Sequence, residues 1–430
     1  MTLQSEATSR SRWLGAMPKR FIEGRLSHVA TAWTSNVDKH TVPGEPAVRL
    51  CNYTDVYKND SITDSMTFMK ATASPEQIAR FTIRVGDTLI TKDSETADDI
   101  GIPSYVRYEA DDLICGYHLA IVRPDPRAAD PRFLYWVMGS DPVLGQWGVQ
   151  ASGVTRVGIR STDLAKVAIP IPPLAEQRAI ANFLDEQTSR IDTLIGKQTQ
   201  LIDTLRERAS TVAAVAIQNA TAPRIALRRL GRTGGGAGFP HEHQGRTGKP
   251  LPFYKVKALA SADRRGVLGD APDTVDYATA EMLGATVFPT GSIVYAKVGA
   301  ALMLGRIRAL PRPACIDNNL AAFVPGAKLN ADYARHALTQ LPFRALVNPG
   351  AVPSLSDRHI LDFRVPLPSL SDQIATVSHL NKETSQIDAL IDKAEEHIAL
   401  AKERRAALIT AAVTGQIDVR TAGRAGSVGA

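Results

Sequence analysis

The sequence predicts an α+β chain. Two mixed α/β domains alternate with two long helices, and the helices pair antiparallel as a coiled coil with pseudo-two-fold symmetry. Three observations predict this. One segment is written twice, the hydrophobic period becomes helical at each copy, and the connectivity turns the second helix back along the first. The duplication comes first, because a repeat at fixed offset signals repeated architecture. Ile169-Pro170-Ile171-Pro172-Pro173-Leu174-Ala175-Glu176-Gln177 returns as Val365-Pro366-Leu367-Pro368-Ser369-Leu370-Ser371-Asp372-Gln373, an offset of 196. The offset holds without a gap onward: Leu184 maps to Leu380, Ile191-Asp192 to Ile387-Asp388, and Glu207-Arg208 to Glu403-Arg404.

The first block, residues 1–168, is rich in β-branched and aromatic runs broken by turn residues, and reads as mixed α/β with a substantial sheet. The runs 81–85 and 88–91 are read as strands on either side of Gly86-Asp87. Residues 220–364 return to this pattern, and Gly291-Ser292-Ile293-Val294-Tyr295-Ala296-Lys297 mirrors Gly86-Asp87-Thr88-Leu89-Ile90-Thr91-Lys92 at an offset of 205. Cys115-Gly116-Tyr117-His118-Leu119 likewise sits where the second block has Cys315-Ile316-Asp317-Asn318-Asn319-Leu320. The Gly234-Gly235-Gly236 cluster has no counterpart in the first block.

Residues 169–219 and 365–418 are the helical blocks, and 419–430 is read as a disordered, small-residue tail. Each helical block opens with proline-rich extended chain. Pro173 suits an early helical position, and Ser369 can cap with Asp372 three residues on. An apolar seam then follows heptad spacing, a helix of about 30 residues in each copy. On the first helix it runs through Ile191, Leu194, Gln198, Leu201 and Leu205, and on the second through Ile387, Leu390, Ala394 and Leu408. Ile195 and Ile202, repeated as Ile391 and Ile398, form a flanking row.

Composition narrows the function. The chain has 430 residues, 44% hydrophobic and 22% charged, ordinary for a globular protein of two or more domains. No apolar run is long enough for a membrane span, and the first residues carry no secretory pattern. Cys51, Cys115 and Cys315 are too few and too far apart for a disulfide framework or a zinc site, which suggests a reducing cytoplasm. The net charge of +6 suits a polyanionic partner without requiring one.

Catalytic motifs are missing. Asn348-Pro349-Gly350 lacks the second proline of an adenine methyltransferase motif, and 234–238 lacks the helix a cofactor loop would need. The run 245–250 is superficially like a phosphate loop but has Pro250 where Ser or Thr is required. His241-Glu242-His243 has no third ligand nearby in sequence. The expectation is a binding protein that is not an enzyme.

Candidate contacts for a polyanionic partner are basic residues near turns of the mixed blocks. In the first they are Lys70, Arg80, Lys92 and Arg107, and in the second Arg246, Lys249, Lys255, Lys257, Arg264, Arg265, Lys297 and Arg306. Arg404 and Arg405 lie on a helix and are read as packing or ion-pairing residues.

The duplicated Pro-x-Pro-x-Leu-x-(Glu/Asp)-Gln, followed each time by Thr-Ser-x-Ile-Asp-x-Leu-Ile-x-Lys at 170–197 and 366–393, resembles the specificity subunit of type I restriction–modification systems. Trp13-Leu14-Gly15-Ala16-Met17-Pro18 is similar to that family's lead-in to its first domain. The resemblance implies that 1–168 and 220–364 are target recognition domains, each reading half of a split double-stranded DNA site. It implies that the helices form a spacer and dock two modification (methyltransferase) subunits, to which restriction subunits add. S-adenosylmethionine, ATP and Mg²⁺ then belong to those partners, and none is bound by this chain. Glu176, Gln177, Asp372 and Gln373, at the heads of the helices, are the candidate docking residues. A stand-alone methyltransferase and a coiled-coil adaptor without a DNA role are the competing readings.

Overall fold

The computed structural model describes residues 12–218, 221–348 and 352–421. The chain divides into two compact units, residues 1–197 with 397–430, and residues 198–396. Each long helix is therefore shared, its first part in one unit and its remainder in the other.

In the first unit a five-stranded sheet runs in the order Ala30–Thr34, Leu119–Pro124, Thr88–Thr91, Pro103–Val106, Ser61–Ile62. A second sheet places Ala47–Cys51 between antiparallel Met69–Thr72 and parallel Leu113–Cys115. Ile22–Arg25 pairs antiparallel with Ala168–Ile171, so the proline-rich lead-in is extended and tied to the start of the domain. Of the two runs expected as strands, only Thr88–Thr91 forms one. Phe81 closes the helix Pro75–Phe81, which begins at a Ser74–Gln77 capping box. That cap outweighs the β propensity of the residues after it.

The second unit repeats this plan. Its four-stranded sheet runs Gly231–Gly235, Leu320–Pro325, Ile293–Ala296, Arg308–Ala309. Leu251–Tyr254 lies between antiparallel Thr274–Val275 and parallel Cys315–Ile316. Arg224–Ala226 pairs with Arg364–Pro366 ahead of the second long helix. The shared order explains why Cys115 and Cys315 align in sequence: each lies on the parallel strand, fully buried.

The long helices are Leu174–Gln218 and Leu370–Val413, 45 and 44 residues rather than about 30. The proline-rich entry is only the first residues of each block, and the helix takes the rest. Ser369 caps the second helix, its Oγ accepting the Asp372 N–H at 3.2 Å. Within the first unit the helices run antiparallel. Asp192 meets Arg405, while Ile180, Ala181 and Leu184 share a core with Ile409, Ala412 and Val413. Within the second unit Arg206 meets Glu395 and Ile217 shares a core with Val377, again antiparallel.

Three of the nine expected seam positions lie outside it. Ile202, Leu205, Ile387, Ile391 and Ala394 are buried, and Ile191, Ile195, Gln198, Ala401, Arg405 and Leu408 are half-buried. Leu194, Leu201 and Leu390 are instead 47%, 45% and 51% exposed. The row expected to flank the seam is its second row, and the leucines point outward. Two adjacent apolar rows share the same seven-residue period, and period alone does not say which one meets the partner helix.

The tail also needs correction. Residues 419–421 form a helical turn, and Val419 is buried in the first unit's core. The rest of the expected tail, 422–430, lies outside the described residues.

Candidate nucleic-acid interface and its joints

Each mixed domain is fastened to its own long helix by one glutamine. Gln177 Oε1 accepts the Asp130 N–H at 2.8 Å, while its Nε2 donates to Ala128 O at 3.1 Å and Pro172 O at 2.9 Å. Gln373 repeats this in the second unit: Oε1 accepts Asn330 N–H at 2.8 Å, and Nε2 donates to Lys328 O at 3.1 Å and Pro368 O at 2.9 Å. Both glutamines are buried. They present nothing to a partner subunit and are internal clamps, which corrects their reading as docking residues. Glu176 is engaged too, forming a bidentate pair with Arg20. Asp372 is exposed and serves the Ser369 cap.

In the first unit the helices and the domain enclose a cleft of about 500 Å³ lined by Asp60, Tyr105, Arg107, Arg132, Asp192 and Arg405, among others. Arg405 reaches from the second helix to Asp60 at 2.7 Å and Asp192 at 3.1 Å, its guanidinium 5.8 Å from the Trp136 ring centre. Burial raises the Asp192 carboxyl above its ordinary range, with Arg405 pulling the other way. Arg132 and Trp136 Nε1 both bond Asp185 on the first helix, at 2.8 and 2.9 Å. The helical arginine thus makes the ion pair expected of it.

The second unit makes its joint in reverse. Arg264, expected as a DNA contact, donates to Asp388 O at 2.7 Å and pairs with Asp392 at 2.5 Å and Glu395 at 3.1 Å on the second helix. Both of its terminal nitrogens are engaged by the spacer helix. Asp388 is the duplicate of Asp192, so the same helix position anchors both domains through arginines from opposite sides of the joint.

The remaining basic candidates do not form one patch. Pairing of Thr88 with Tyr105 and Ile90 with Pro103 places Arg107 beyond one end of these strands and Lys92 beyond the other. Arg107 donates to Ser61 Oγ at 3.1 Å and faces the cleft. Lys70 and Arg80 are exposed, on strand Met69–Thr72 and helix Pro75–Phe81. In the second unit Arg246, Lys257 and Arg265 are exposed, and Arg306 and Lys297 are half-buried. Lys249 pairs with Asp276 at 3.1 Å, and Lys255 with Asp273 at 2.9 Å and Gln244 Oε1 at 2.7 Å. Among the described residues no group of three or more His, Cys, Asp or Glu could hold a metal ion. No helix there is long and apolar enough to cross a membrane.

Residues 51–203 match the model of the type I restriction modification DNA specificity domain. Over these residues the chain carries a type I DNA specificity domain. It is 22% identical over 371 residues to a Methanocaldococcus jannaschii protein provisionally named as the MjaX type I restriction enzyme specificity subunit, covering 80% of this chain and 82% of that one. A solved chain from a study of complex assembly and conformational transition of the type I R-M system aligns with 94% of this chain and 100% of its own, with TM-score 0.67 and 18% identity. That likeness shows the fold. The HsdS subunit of Thermoanaerobacter tengcongensis aligns over 93% and 98%, with TM-score 0.47 and 20% identity. The specificity subunit is a DNA sequence-recognition component and has no catalytic role of its own.

Proposed function

We propose that the two mixed domains, 1–168 and 220–364, each read one half of a split duplex site, while the paired helices carry the readers and dock modification subunits. The observation that carries this is the doubled construction: the same order of four sheet strands, with a fifth in the first unit, and the same glutamine clamp. A reader built twice on one plan suits two half-sites of different sequence. Two modification subunits would match the two units, with restriction subunits adding to that complex. S-adenosylmethionine, ATP and Mg²⁺ would be held by those partners. The exposed Leu194 of the first unit, and Leu201 and Leu390 of the second, are apolar helix positions free of the seam and are the docking residues of this reading.

The test is to express the chain with its cognate modification subunit and sequence the host methylome. The expected result is adenine methylation at one bipartite motif, absent without this chain. Replacing 220–364 with the equivalent domain of a relative should change one half of the motif only. Methyl transfer by the purified chain alone would overturn the reading. DNA binding by the complex should fall steeply with salt, because phosphate neutralisation releases counterions.

A further inference from the structure

One feature of the readers is constant and what surrounds it varies. Lys92 directly follows strand Thr88–Thr91; its N–H donates to His118 O at 3.0 Å, and its carbonyl accepts the Ile159 N–H at 2.8 Å. Lys297 directly follows strand Ile293–Ala296, donates to Asn319 O at 2.9 Å and accepts from Leu355 N–H at 2.8 Å. The lysines therefore occupy equivalent backbone positions. Across from them stand Tyr117-His118 in one unit and Asn318-Asn319 in the other. Tyr117 is 47% exposed, His118 is half exposed, and both asparagines are exposed.

In the first unit the lysine acts inward. Its side chain is only 13% exposed, with Nζ 4.4 Å from the Tyr117 ring centre and 3.6 Å from Asp93. Asp93 Oδ2 also lies 2.9 Å from His118 Nδ1, and the His118 ring meets Tyr117 edge-on at 4.9 Å. Lysine, aspartate and the two rings brace one another. Asp93 engages His118 at Nδ1, which leaves Nε2 of the half-exposed ring for a further hydrogen bond. Beside this cluster the chain doubles back over 152–158, pairing Val157–Gly158 with Asp93–Ser94. Val154 stands out fully exposed at its tip, and Arg156 is exposed.

In the second unit the same place is built with glycine. A Cβ on Gly236 would lie 2.0 Å from Asp317 O, and one on Gly235 would lie 3.1 Å from Lys297 Nζ. The glycine run without counterpart in the first domain therefore lets the strand lie against the base of the Asn318-Asn319 turn, beneath the lysine. Ser354 bridges both Asn348 and Val298 there, as Gly158 bridges Ser152 and pairs with Asp93 in the first unit.

We infer that Tyr117-His118 and Asn318-Asn319 are the equivalent base-reading positions of the two domains, held by the same backbone bond in each and braced in the first by the Lys92 side chain. This rests on the proposed reading of split duplex DNA. Base edges are read by hydrogen-bonding side chains presented to a groove, Arg or Lys on guanine and carboxamides on adenine among them, and phosphates are met by Arg, Lys and polar side chains. All four residues carry hydrogen-bonding groups, are exposed or half exposed, and differ between the two units at one backbone position. Carboxamides pair with adenine N6 and N7 in the major groove, which Tyr and His do not reproduce. Different half-sites follow from different pairs on one scaffold.

The experiment uses the full chain with its modification subunit and reads the methylated motif. Tyr117→Asn with His118→Asn should alter the half-site of the first domain alone, and Asn318→Tyr with Asn319→His that of the second alone. Discrimination at one or two base pairs should fall about 5- to 150-fold. Lys92→Ala, which removes the brace from Tyr117 and Asp93, should blur the half-site of the first domain. Should a double variant give no methylation, His118→Gln and Asn319→Gln keep the size of the group. Their complexes are then offered duplexes varied in one half-site, and preference should fade in that half only. Unchanged discrimination in both halves overturns the inference. A wild-type complex that methylates no bipartite motif overturns instead the reading beneath it.

Discussion

Arg335 and His336 are neighbours in sequence whose side chains bond each other, guanidinium Nη2 to imidazole Nε2 at 2.9 Å, in the buried wall of the second unit. A guanidinium only donates, so Nε2 must accept and the imidazole is neutral. Burial, and then the charge of Arg335, lower the His336 pKa from 6.5 to about 4. The unfolded chain takes up this proton near pH 6.5, the folded one only near 4. The stabilisation is therefore complete above pH 6.5 and is lost as pH falls toward 4, at most about 3 kcal/mol. Urea unfolding of wild type and His336→Gln should diverge at neutral pH and converge toward pH 4. Parallel curves would refute it.

The seam assignment makes a contrast. Ile202→Ala and Ile391→Ala remove buried side chains and should each cost about 2–4 kcal/mol. Leu194→Ala and Leu390→Ala, half exposed, should change stability by about 0.5 kcal/mol or less. Denaturant midpoints distinguish the two sets. If the second set costs as much as the first, the outward leucines belong to the seam.

Gly196 sits inside the first long helix with nothing within 4 Å of where its Cβ would be. Gly196→Ala should therefore stabilise the chain by about 0.5–1 kcal/mol, since alanine restricts the unfolded chain and meets no clash. Thermal unfolding reads the sign directly, and a drop in midpoint would argue against regular helix at this position.

Gln177→Ala should leave the Asp130 N–H and two carbonyls without their partner, at about 2–4 kcal/mol. Amide exchange at Asp130 should accelerate more than at Asn330, and Gln373→Ala should reverse that order. Gln177→Glu at neutral pH should be no better than alanine, because a carboxylate would face the Ala128 and Pro172 oxygens.

Much of the architecture was legible because duplication writes its own alignment. The offset through Gln177 and Gln373 predicted two helices, two mixed domains and their matching order. What could not be read depends on partners distant in the chain. Arg264 looks like any surface arginine until Asp388, 124 residues on, is folded beneath it. Lys255 loses its freedom to Asp273 in the same way. The glutamines, polar and present twice, suggested a surface role, but their partners are backbone atoms 43 to 49 residues upstream, along with one five residues before each. Tyr117-His118 and Asn318-Asn319 stood in the aligned cysteine segments, unmarked because they are not basic.

The clamp touches only peptide groups: Ala128 O, Asp130 N and Pro172 O in one unit, Lys328 O, Asn330 N and Pro368 O in the other. Every amino acid carries the carbonyl it needs, and every one except proline carries the N–H. The fastening is therefore a socket indifferent to spelling: it checks that a loop of the right shape is present and ignores which residues wrote it. The loop that meets the glutamine can be rewritten without losing these bonds, whereas the joints made by Arg132, Trp136 and Arg264 depend on their side chains.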